Sequence, residues 1–172
     1  MMKPFLTVTA AVFAAVFTLT QPVTATDSFG ARLRGLEEVP SISTAGQGFF
    51  FASLNDAETQ LDYSVIYFGL ESTVTQSHIH IGQTSVTGGI VLFFCTNLTP
   101  PAGVPVPPAC PNGAVNSVSG MLTAANVIVQ TGQGIASGEF AEVIRAMRSG
   151  FAYANVHSVT YPGGEIRGQI SR

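Results

Sequence analysis

The sequence predicts an all-β domain with one short helix, folded as a Greek-key or immunoglobulin-like β-sandwich or as a barrel-like sandwich. The first observation behind this prediction is a series of short β-type segments that turn residues separate at regular intervals, which is typical of sandwiches and barrels. The second is composition, because 46% of the 172 residues are hydrophobic and only 10% are charged. Such a chain can bury one sizeable core, so a single compact domain is expected.

Eight segments carry the strand signal, and they alternate with clusters of Gly, Pro, Asn, Asp and Ser. They lie near residues 28–38, 46–54, 60–68, 76–82, 88–96, 115–123, 150–158 and 164–171. Residues 55–59 predict a hairpin loop, after which Leu61, Tyr63 and Val65 alternate with polar residues as in a half-buried strand. The uninterrupted apolar run at 90–94 predicts a central strand of the sheet.

One helix is predicted over residues 138–150. Its apolar residues Phe140, Val143, Ile144 and Met147 recur at helical spacing. Glu residues lead the segment, Arg residues follow and a glycine ends it, in agreement with the helix dipole and with common C-terminal geometry. We expect this helix to cover the sandwich with its apolar stripe; use of the stripe as a partner-binding face is the alternative.

The amino terminus, residues 1–25, predicts a secretory signal peptide. Lys3 precedes an apolar run at 5–19, and small residues lead up to a cleavage point after Ala25. The 15-residue run is shorter than the roughly 20 residues that cross a bilayer as a helix. We therefore expect a mature domain of residues 26–172 that is secreted or periplasmic, without membrane insertion after cleavage.

Charge narrows the classes of partner. The only lysine, Lys3, lies in the predicted signal peptide, so six Arg face ten Asp and Glu in the mature chain, a net charge of −4. A mildly acidic chain without basic clusters argues against nucleic acid and against an anionic membrane surface as partners. The expected macromolecular partner is an extracytoplasmic protein or glycan.

The two cysteines, Cys95 and Cys110, predict a disulfide bond, since an even number of cysteines in an oxidising compartment favours pairing. The segment between them, 96–109, is rich in proline and predicts an irregular excursion rather than a strand. Two cysteines at this spacing are too few and too far apart for a zinc or redox motif. The expected role of the pair is therefore structural.

All three histidines of the chain, His78, His80 and His157, are candidate metal ligands. Residues two apart in a strand project from one face, so His78 and His80 point together while Ile79 points to the opposite layer. Two imidazoles at that separation form half of a zinc or copper site, and His157 completes it if its strand lies alongside. The alternative is that the three rings are buried structural residues hydrogen-bonded to their neighbours.

The carboxyl end, residues 161–170, predicts a tight Pro-Gly-Gly turn followed by a closing strand. On that strand Glu165 and Arg167 share one face, and we expect them to form an ion pair. If the pair lay beside the histidines, it would instead support the metal ligands, with Glu165 orienting an imidazole.

Several stretches together resemble the CHRD domain, the module first recognised in chordin. They are residues 33–40 near the start, residues 78–82 with the histidine pair, and residues 154–158 continuing through 163–170 at the end. Their order and separations are similar to the family from about residue 28 to 171. The resemblance implies an immunoglobulin-like or barrel-like β fold in an extracytoplasmic protein, often standing alone, without a generally established enzymatic activity. The proline-rich stretch between the cysteines departs from the family core.

The His-x-His strand, the later histidine and the glycine-rich end are also similar to copper/zinc superoxide dismutase. That resemblance implies four histidines at copper and further His and Asp ligands at zinc, whereas this chain has three histidines in total. A dismutase of that type is therefore not expected, although a simpler metal site is compatible with the sequence.

Two functions from different classes follow. The first is a non-catalytic binding or structural module that engages an extracytoplasmic protein or glycan. The second is a metal-binding protein, with copper or zinc as cofactor, that uses His78, His80 and His157 and has redox or hydrolytic activity as an option. No catalytic residue is assigned and an enzyme is the less favoured class, because the sequence has no nucleophile elbow, phosphate loop or Ser/His/Asp pattern.

Overall fold

The computed structural model describes residues 27–172. The predicted signal peptide, residues 1–25, lies outside the described residues and stays a prediction. Within 27–172, no helix is both long enough and apolar enough to cross a membrane.

Eight strands and one α-helix make up the described domain, and each corresponds to an element that the sequence predicts. The strands are β1 (Ser28–Arg34), β2 (Gln47–Leu54), β3 (Gln60–Phe68), β4 (Val74–Ile81), β5 (Ile90–Thr96), β6 (Val115–Thr123), β7 (Ala152–Ser158) and β8 (Ile166–Gln169), and the helix is α1 (Phe140–Arg148). The first strand is shorter than predicted, because a 3-10 turn at Gly35–Glu37 leads the chain into the loop before β2.

The strands form one antiparallel sheet in the order β5-β4-β7-β8-β1-β2-β3-β6. β1, β2 and β3 pair in chain order, and the predicted hairpin loop at 55–59 joins β2 to β3. β7 lies between β4 and β8. Residues from the middle and from the end of the chain are therefore neighbours in the sheet, which positions the site described below.

The sheet curls until its two end strands, β5 and β6, contact each other. The Tyr63 hydroxyl on β3 donates a hydrogen bond of 2.8 Å to the carbonyl oxygen of Phe94 on β5. The ring of Phe94 packs against those of Tyr63 and Phe50, with centroids 4.9 and 5.2 Å apart. The nearly closed sheet is a barrel-like sandwich, which confirms the predicted fold class.

The prediction of a central strand at 90–94 is wrong, because β5 pairs with β4 alone and ends the sheet order. Its residues Val91, Leu92 and Phe94 are nevertheless fully buried. The connection that follows β6 covers the outer edge of β5, where the backbone N–H of Ile128 donates to the carbonyl oxygen of Val91 at 3.0 Å. The irregular connection after β6 thus buries β5 in place of a second neighbouring strand. A continuous apolar run indicates burial on both faces, but it does not tell whether a strand or a loop lies alongside.

The hydrophobic core fills the space inside the curled sheet and beneath α1, and it includes Leu33, Phe50 and Ile79. The four residues of the predicted helix stripe are all buried in it, namely Phe140, Val143, Ile144 and Met147. Gly150, with a φ of 73°, ends the helix region as predicted. Because the stripe packs into the core, the helix covers the barrel and does not present an apolar face to a partner.

Cys95 and Cys110 form the predicted disulfide bond. The bond closes the proline-rich segment, a fully described stretch that contains no strand after β5 ends at Thr96, as predicted. The side-chain amide of Asn97 fastens the same segment by donating to the carbonyl oxygens of Val74 and Cys110 at 2.9 and 3.0 Å. A covalent bond and a polar clamp therefore hold a segment that buries little apolar surface of its own.

Candidate metal centre

The three histidines lie on the adjacent strands β4 and β7, and we call them the histidine cluster (His78, His80 and His157). The residues that face each other across the two strands are Gln76 and His157, His78 and Asn155, and His80 and Tyr153. Directly opposed residues in a ladder project from one face of the sheet. The ring centroids of His78 and His80 are 4.6 Å apart, and those of His78 and His157 are 4.5 Å apart. The fold thus brings together all three residues that the sequence singled out.

The histidine cluster lies on the face of the sheet opposite to the core. Ile79, Ala154 and Val156, which alternate with the polar residues of β4 and β7, belong to the core. The three rings are nevertheless only 0 to 8% exposed. Two connecting segments cover the rings. The loop that joins β4 to β5 (residues 82–89) is hydrogen-bonded to His80, and the turn that joins β7 to β8 (residues 159–165) is hydrogen-bonded to His157.

Hydrogen bonds to these two covering segments determine the tautomer of two rings. Nδ1 of His80 lies 2.8 Å from the carbonyl oxygen of Gly88, and Nδ1 of His157 lies 2.9 Å from that of Pro162. Since a carbonyl oxygen only accepts, Nδ1 carries the proton of each neutral ring and Nε2 keeps a lone pair. Both Nε2 atoms are buried, and they have no hydrogen-bond partner among the described residues. Metal-binding histidines have this arrangement, with one nitrogen held by an acceptor and the other free.

His78 lies between the other two rings and is fully buried. In the described part of the chain, neither of its ring nitrogens has a hydrogen-bond partner. One ligand nitrogen from each of the three rings lies within 4.8 Å of the others. Three nitrogens at about 2.1 Å from a tetrahedral zinc ion are about 3.4 Å apart. A three-nitrogen site therefore requires the ring nitrogens to move up to about 1.4 Å closer together.

The pKa of every ring in the histidine cluster is lowered. Burial holds the pKa of His78 well below 6.5, and the neighbouring rings lower it further. Burial also lowers the pKa of His80 to about 4 and lowers that of His157, in each case against the opposing effect of the backbone hydrogen bond. At pH 7 the rings are neutral, and the neutral imidazole is the form that binds a metal ion.

Tyr153 and Arg167 support the ring of His80. The His80 and Tyr153 rings stack with centroids 4.5 Å apart and an angle of 6° between their planes. The guanidinium of Arg167 packs against Tyr153 and donates hydrogen bonds of 3.0 Å to the carbonyl oxygens of Gln83 and Val86. Arg167 therefore contacts both the Tyr153 ring, which stacks on His80, and the loop at 82–89, which is hydrogen-bonded to His80.

The expected ion pair between Glu165 and Arg167 does not form among the described residues. Glu165 is fully buried, and its Oε1 accepts hydrogen bonds from the Thr44 hydroxyl at 2.7 Å and from the backbone N–H of Glu71 at 2.8 Å. Glu165 likewise makes no hydrogen bond to a histidine within 27–172; backbone carbonyls orient the rings of His80 and His157 instead. The prediction fails because two loops supply partners that the alternation of a single strand does not reveal.

Asn155 and Glu38 lie in the same buried polar layer, and neither was predicted from the sequence as a residue of this site. Nδ2 of Asn155 donates a hydrogen bond of 2.6 Å to Oε1 of Glu38, and burial raises the pKa of Glu38 to about 7. Gly164 has a φ of 128°, and a Cβ there would lie 2.5 Å from Glu38 Oε1, so this close approach requires glycine. The two-residue period that includes Tyr153 and His157 was a signal for Asn155. Glu38 lies 117 positions away, and the signal for it was its place in the family-like stretch 33–40.

These features define an all-β, disulfide-bonded domain with a buried three-histidine cluster on the outer face of its sheet. The chain belongs to the CHRD domain family, since the family model for the CHRD domain matches residues 29–170. The resemblance found in the sequence is thereby confirmed over nearly all of the described domain. No curated protein and no solved structure matches the chain.

Proposed function

We propose that the protein is an extracytoplasmic, non-catalytic metal-binding protein in which His78, His80 and His157 bind one copper or zinc ion. One observation carries the proposal: within residues 27–172 each ring has a buried nitrogen without a hydrogen-bond partner, and one ligand nitrogen per ring lies within 4.8 Å of the others. A buried polar atom left without a partner costs about 1–3 kcal/mol. An ion that accepts the three lone pairs explains why such atoms are gathered in one place.

The hydrogen bonds of the histidine cluster support the same function. Buried structural side chains ordinarily have their polar atoms paired. Here the Nδ1 protons of His80 and His157 are held by backbone carbonyls, while both Nε2 atoms stay unpaired. Rings oriented in this way keep a defined tautomer and lose little orientational freedom on binding a metal.

Burial of the histidine cluster supports binding rather than catalysis. A catalytic metal keeps one coordination position open for water or substrate, whereas closed sites hold the ion. No ring of the cluster is more than 8% exposed, and the unpaired nitrogens have almost no accessible surface. A substrate would have to displace the covering loop at 82–89 to reach an ion here.

An extracytoplasmic location is supported by the predicted signal peptide at 1–25 and by the disulfide bond between Cys95 and Cys110. Disulfides persist mainly in oxidising compartments such as the periplasm and the extracellular space. Membership of a family first recognised in an extracellular protein agrees with this location.

Metal content of the untagged protein purified from a periplasm tests the proposal. We expect mass spectrometry to find nearly stoichiometric copper or zinc, and the His78→Ala, His80→Ala double variant to lose it. Tyr67→Phe is the matched control, because it removes a buried hydroxyl on β3, a strand that pairs with neither β4 nor β7. Folded wild-type protein that contains neither metal, and takes up neither on dialysis, would contradict the proposal.

A second candidate function is binding of an extracytoplasmic protein or glycan, and an aromatic pair on β2, one half-buried ring and one exposed ring, favours it. Phe49 and Phe51 stack with centroids 6.4 Å apart, and Phe51 is 53% exposed. Met121 on β6 is 59% exposed as well. Exposed apolar surface of this kind marks interaction sites. A screen against glycans and secreted proteins, with a Phe49→Ala, Phe51→Ala variant as comparison, should yield a ligand that only the wild type binds; binding equal in both contradicts this surface.

A further inference from the structure

The proposed function leaves copper and zinc as alternatives, and the surroundings of the histidine cluster discriminate between them. We infer that the cluster is a three-coordinate site selective for monovalent copper, Cu(I), over divalent zinc. The inference rests on the proposed function and adds to it the identity and the charge of the ion.

The donor set consists of three imidazole nitrogens. Within residues 27–172, no Cys, Asp or Glu joins the three histidines in the group of close ligand atoms. Zinc in closed protein sites is almost always four-coordinate and tetrahedral. Cu(I) is a d10 ion of low charge that is stable with three nitrogen ligands in a plane. The donors present therefore complete the coordination of Cu(I) and leave that of zinc one ligand short.

A fourth ligand could come only from water or from a nearby neutral side chain. The unpaired nitrogens of the cluster have almost no accessible surface, so bulk water does not reach them. Asn155 lies opposite His78 in the ladder, and its buried Oδ1 has no hydrogen-bond partner within the described domain. An amide oxygen is a hard donor that suits magnesium, calcium or manganese better than copper or zinc. Asn155 is therefore the residue whose substitution tests the ligand count.

The charge of the surroundings also favours a monovalent ion. The three ligands are neutral, and no carboxylate of the described chain lies among the ligand atoms. The guanidinium of Arg167 packs against Tyr153, whose ring stacks on His80, and so places a positive charge near the cluster. The cost of burying an ion rises with the square of its charge, so a dication costs about four times as much as a monocation of the same size. The buried carboxyl of Glu38 accepts a hydrogen bond from Asn155 and not from a histidine.

Competition titrations of the metal-free mature protein, carried out without oxygen, test the inference. Cu(I) is titrated against a chromophoric Cu(I) chelator, and zinc against a chromophoric zinc chelator. We expect one Cu(I) per chain, bound at least about 100-fold more tightly than zinc. X-ray absorption of the Cu(I)-loaded protein should show three nitrogen neighbours and no fourth ligand.

The outcomes separate this inference from the proposed function. Zinc bound as tightly as Cu(I) overturns the inference and leaves the proposed function standing, whereas binding of neither ion overturns both. Asn155→Leu should keep the Cu(I) affinity of the wild type. A 100-fold loss in a folded Asn155→Leu protein, or a fourth neighbour in the wild-type X-ray spectrum, would make the site four-coordinate and overturn the inference. The X-ray measurement needs no variant, so it decides the point even if Asn155→Leu fails to fold.

Discussion

The guanidinium carbon of Arg167 lies 3.4 Å from the centre of the Tyr153 ring. A cation packed on a desolvated aromatic face is stabilised by about 2 kcal/mol. Arg167 is only 2% exposed, and it also donates to the carbonyl oxygens of Gln83 and Val86. This one side chain therefore ties β8 and β7 to the loop that bonds His80.

Arg167→Met should release that loop. We expect a loss of about 2–5 kcal/mol in the free energy of unfolding, because two carbonyl oxygens lose a charged donor. Hydrogen exchange of the amides at 82–89 should accelerate more than exchange in β2 and β3. Arg32→Met is the control, since Arg32 is exposed and its side chain hydrogen-bonds only Gln47 among residues 27–172. Loop amides that exchange at the wild-type rate in Arg167→Met would show that Arg167 does not hold the loop.

Gly88→Ala should disturb the same loop from its other end. A Cβ at position 88 would lie 1.6 Å from the carbonyl oxygen of Ile81, so the backbone must move and the hydrogen bond to His80 must lengthen or break. We expect a destabilisation of about 1–3 kcal/mol in thermal or urea unfolding, together with weaker metal binding. Gly132→Ala is the matched control, because a Cβ there meets no atom within 4 Å. Equal losses in the two variants would contradict this prediction.

His78→Leu should make the metal-free protein more stable, not less. Both ring nitrogens of His78 are buried without partners in residues 27–172, so an apolar side chain of similar size removes a desolvation cost of about 1–3 kcal/mol. The same variant should bind no metal, and saturating metal should stabilise only the wild type. Tyr67→Phe provides the contrast, since its hydroxyl is paired with the carbonyl oxygen of Pro111 and its removal should destabilise. A metal-free His78→Leu protein that is less stable than wild type would indicate a structural histidine.

Glu38 should make the stability of the protein fall as pH rises. Burial raises its pKa from 4.5 to about 7, so between these values the unfolded chain loses a proton that the folded protein keeps. The resulting loss above pH 7 is on the order of 3 kcal/mol. Glu38→Gln should therefore be more stable than wild type at pH 8 and similar at pH 4. Urea unfolding from pH 4 to pH 8 measures this, with Asp56→Asn, at an exposed turn position, as control.

The histidines should have the opposite effect in the same titration. Their pKa values are lower in the folded protein than the usual 6.5, so below pH 6.5 the unfolded chain takes up protons that the buried rings do not. Metal-free Glu38→Gln should therefore lose stability as pH falls from 6.5 towards 4. A flat profile over that range in Glu38→Gln would contradict the burial of neutral rings.

Removing the disulfide should destabilise the domain without changing its sheet. A Cys95→Ala, Cys110→Ala variant reopens a loop with a sequence separation of 15, which costs about 3 kcal/mol in the chain-entropy model. Reduction of the disulfide in the wild type is the matched comparison. It should lower the midpoint of thermal unfolding by about as much as the double substitution does. Far-ultraviolet circular dichroism should stay unchanged below the transition. A midpoint unaffected by both treatments would mean that Asn97 holds the segment without help from the disulfide.

Local periodicity accounts for the parts of this structure that the sequence predicts. His78 and His80 share a face because a strand alternates with a period of two, and the stripe from Phe140 to Met147 is buried because a helix repeats every 3.6 residues. The boundaries of β3 and β6 were predicted for the same reason, since turn residues border their alternating patterns. These features depend on neighbours in the chain, so the sequence by itself determined them.

The tertiary structure alone decided what surrounds those elements. His157 meets His78 only because β7 pairs with β4, and strand pairing over such a separation depends on the path of the whole chain. Backbone carbonyls orient the rings of His80 and His157, and a carbonyl carries no signal in the identity of its residue. Glu165 likewise has its partners, the Thr44 hydroxyl and the Glu71 N–H, in loops that lie far away in the sequence. The sequence therefore determined which residues could bind a metal, and the packing of distant segments decided that they meet, buried and neutral, in one place.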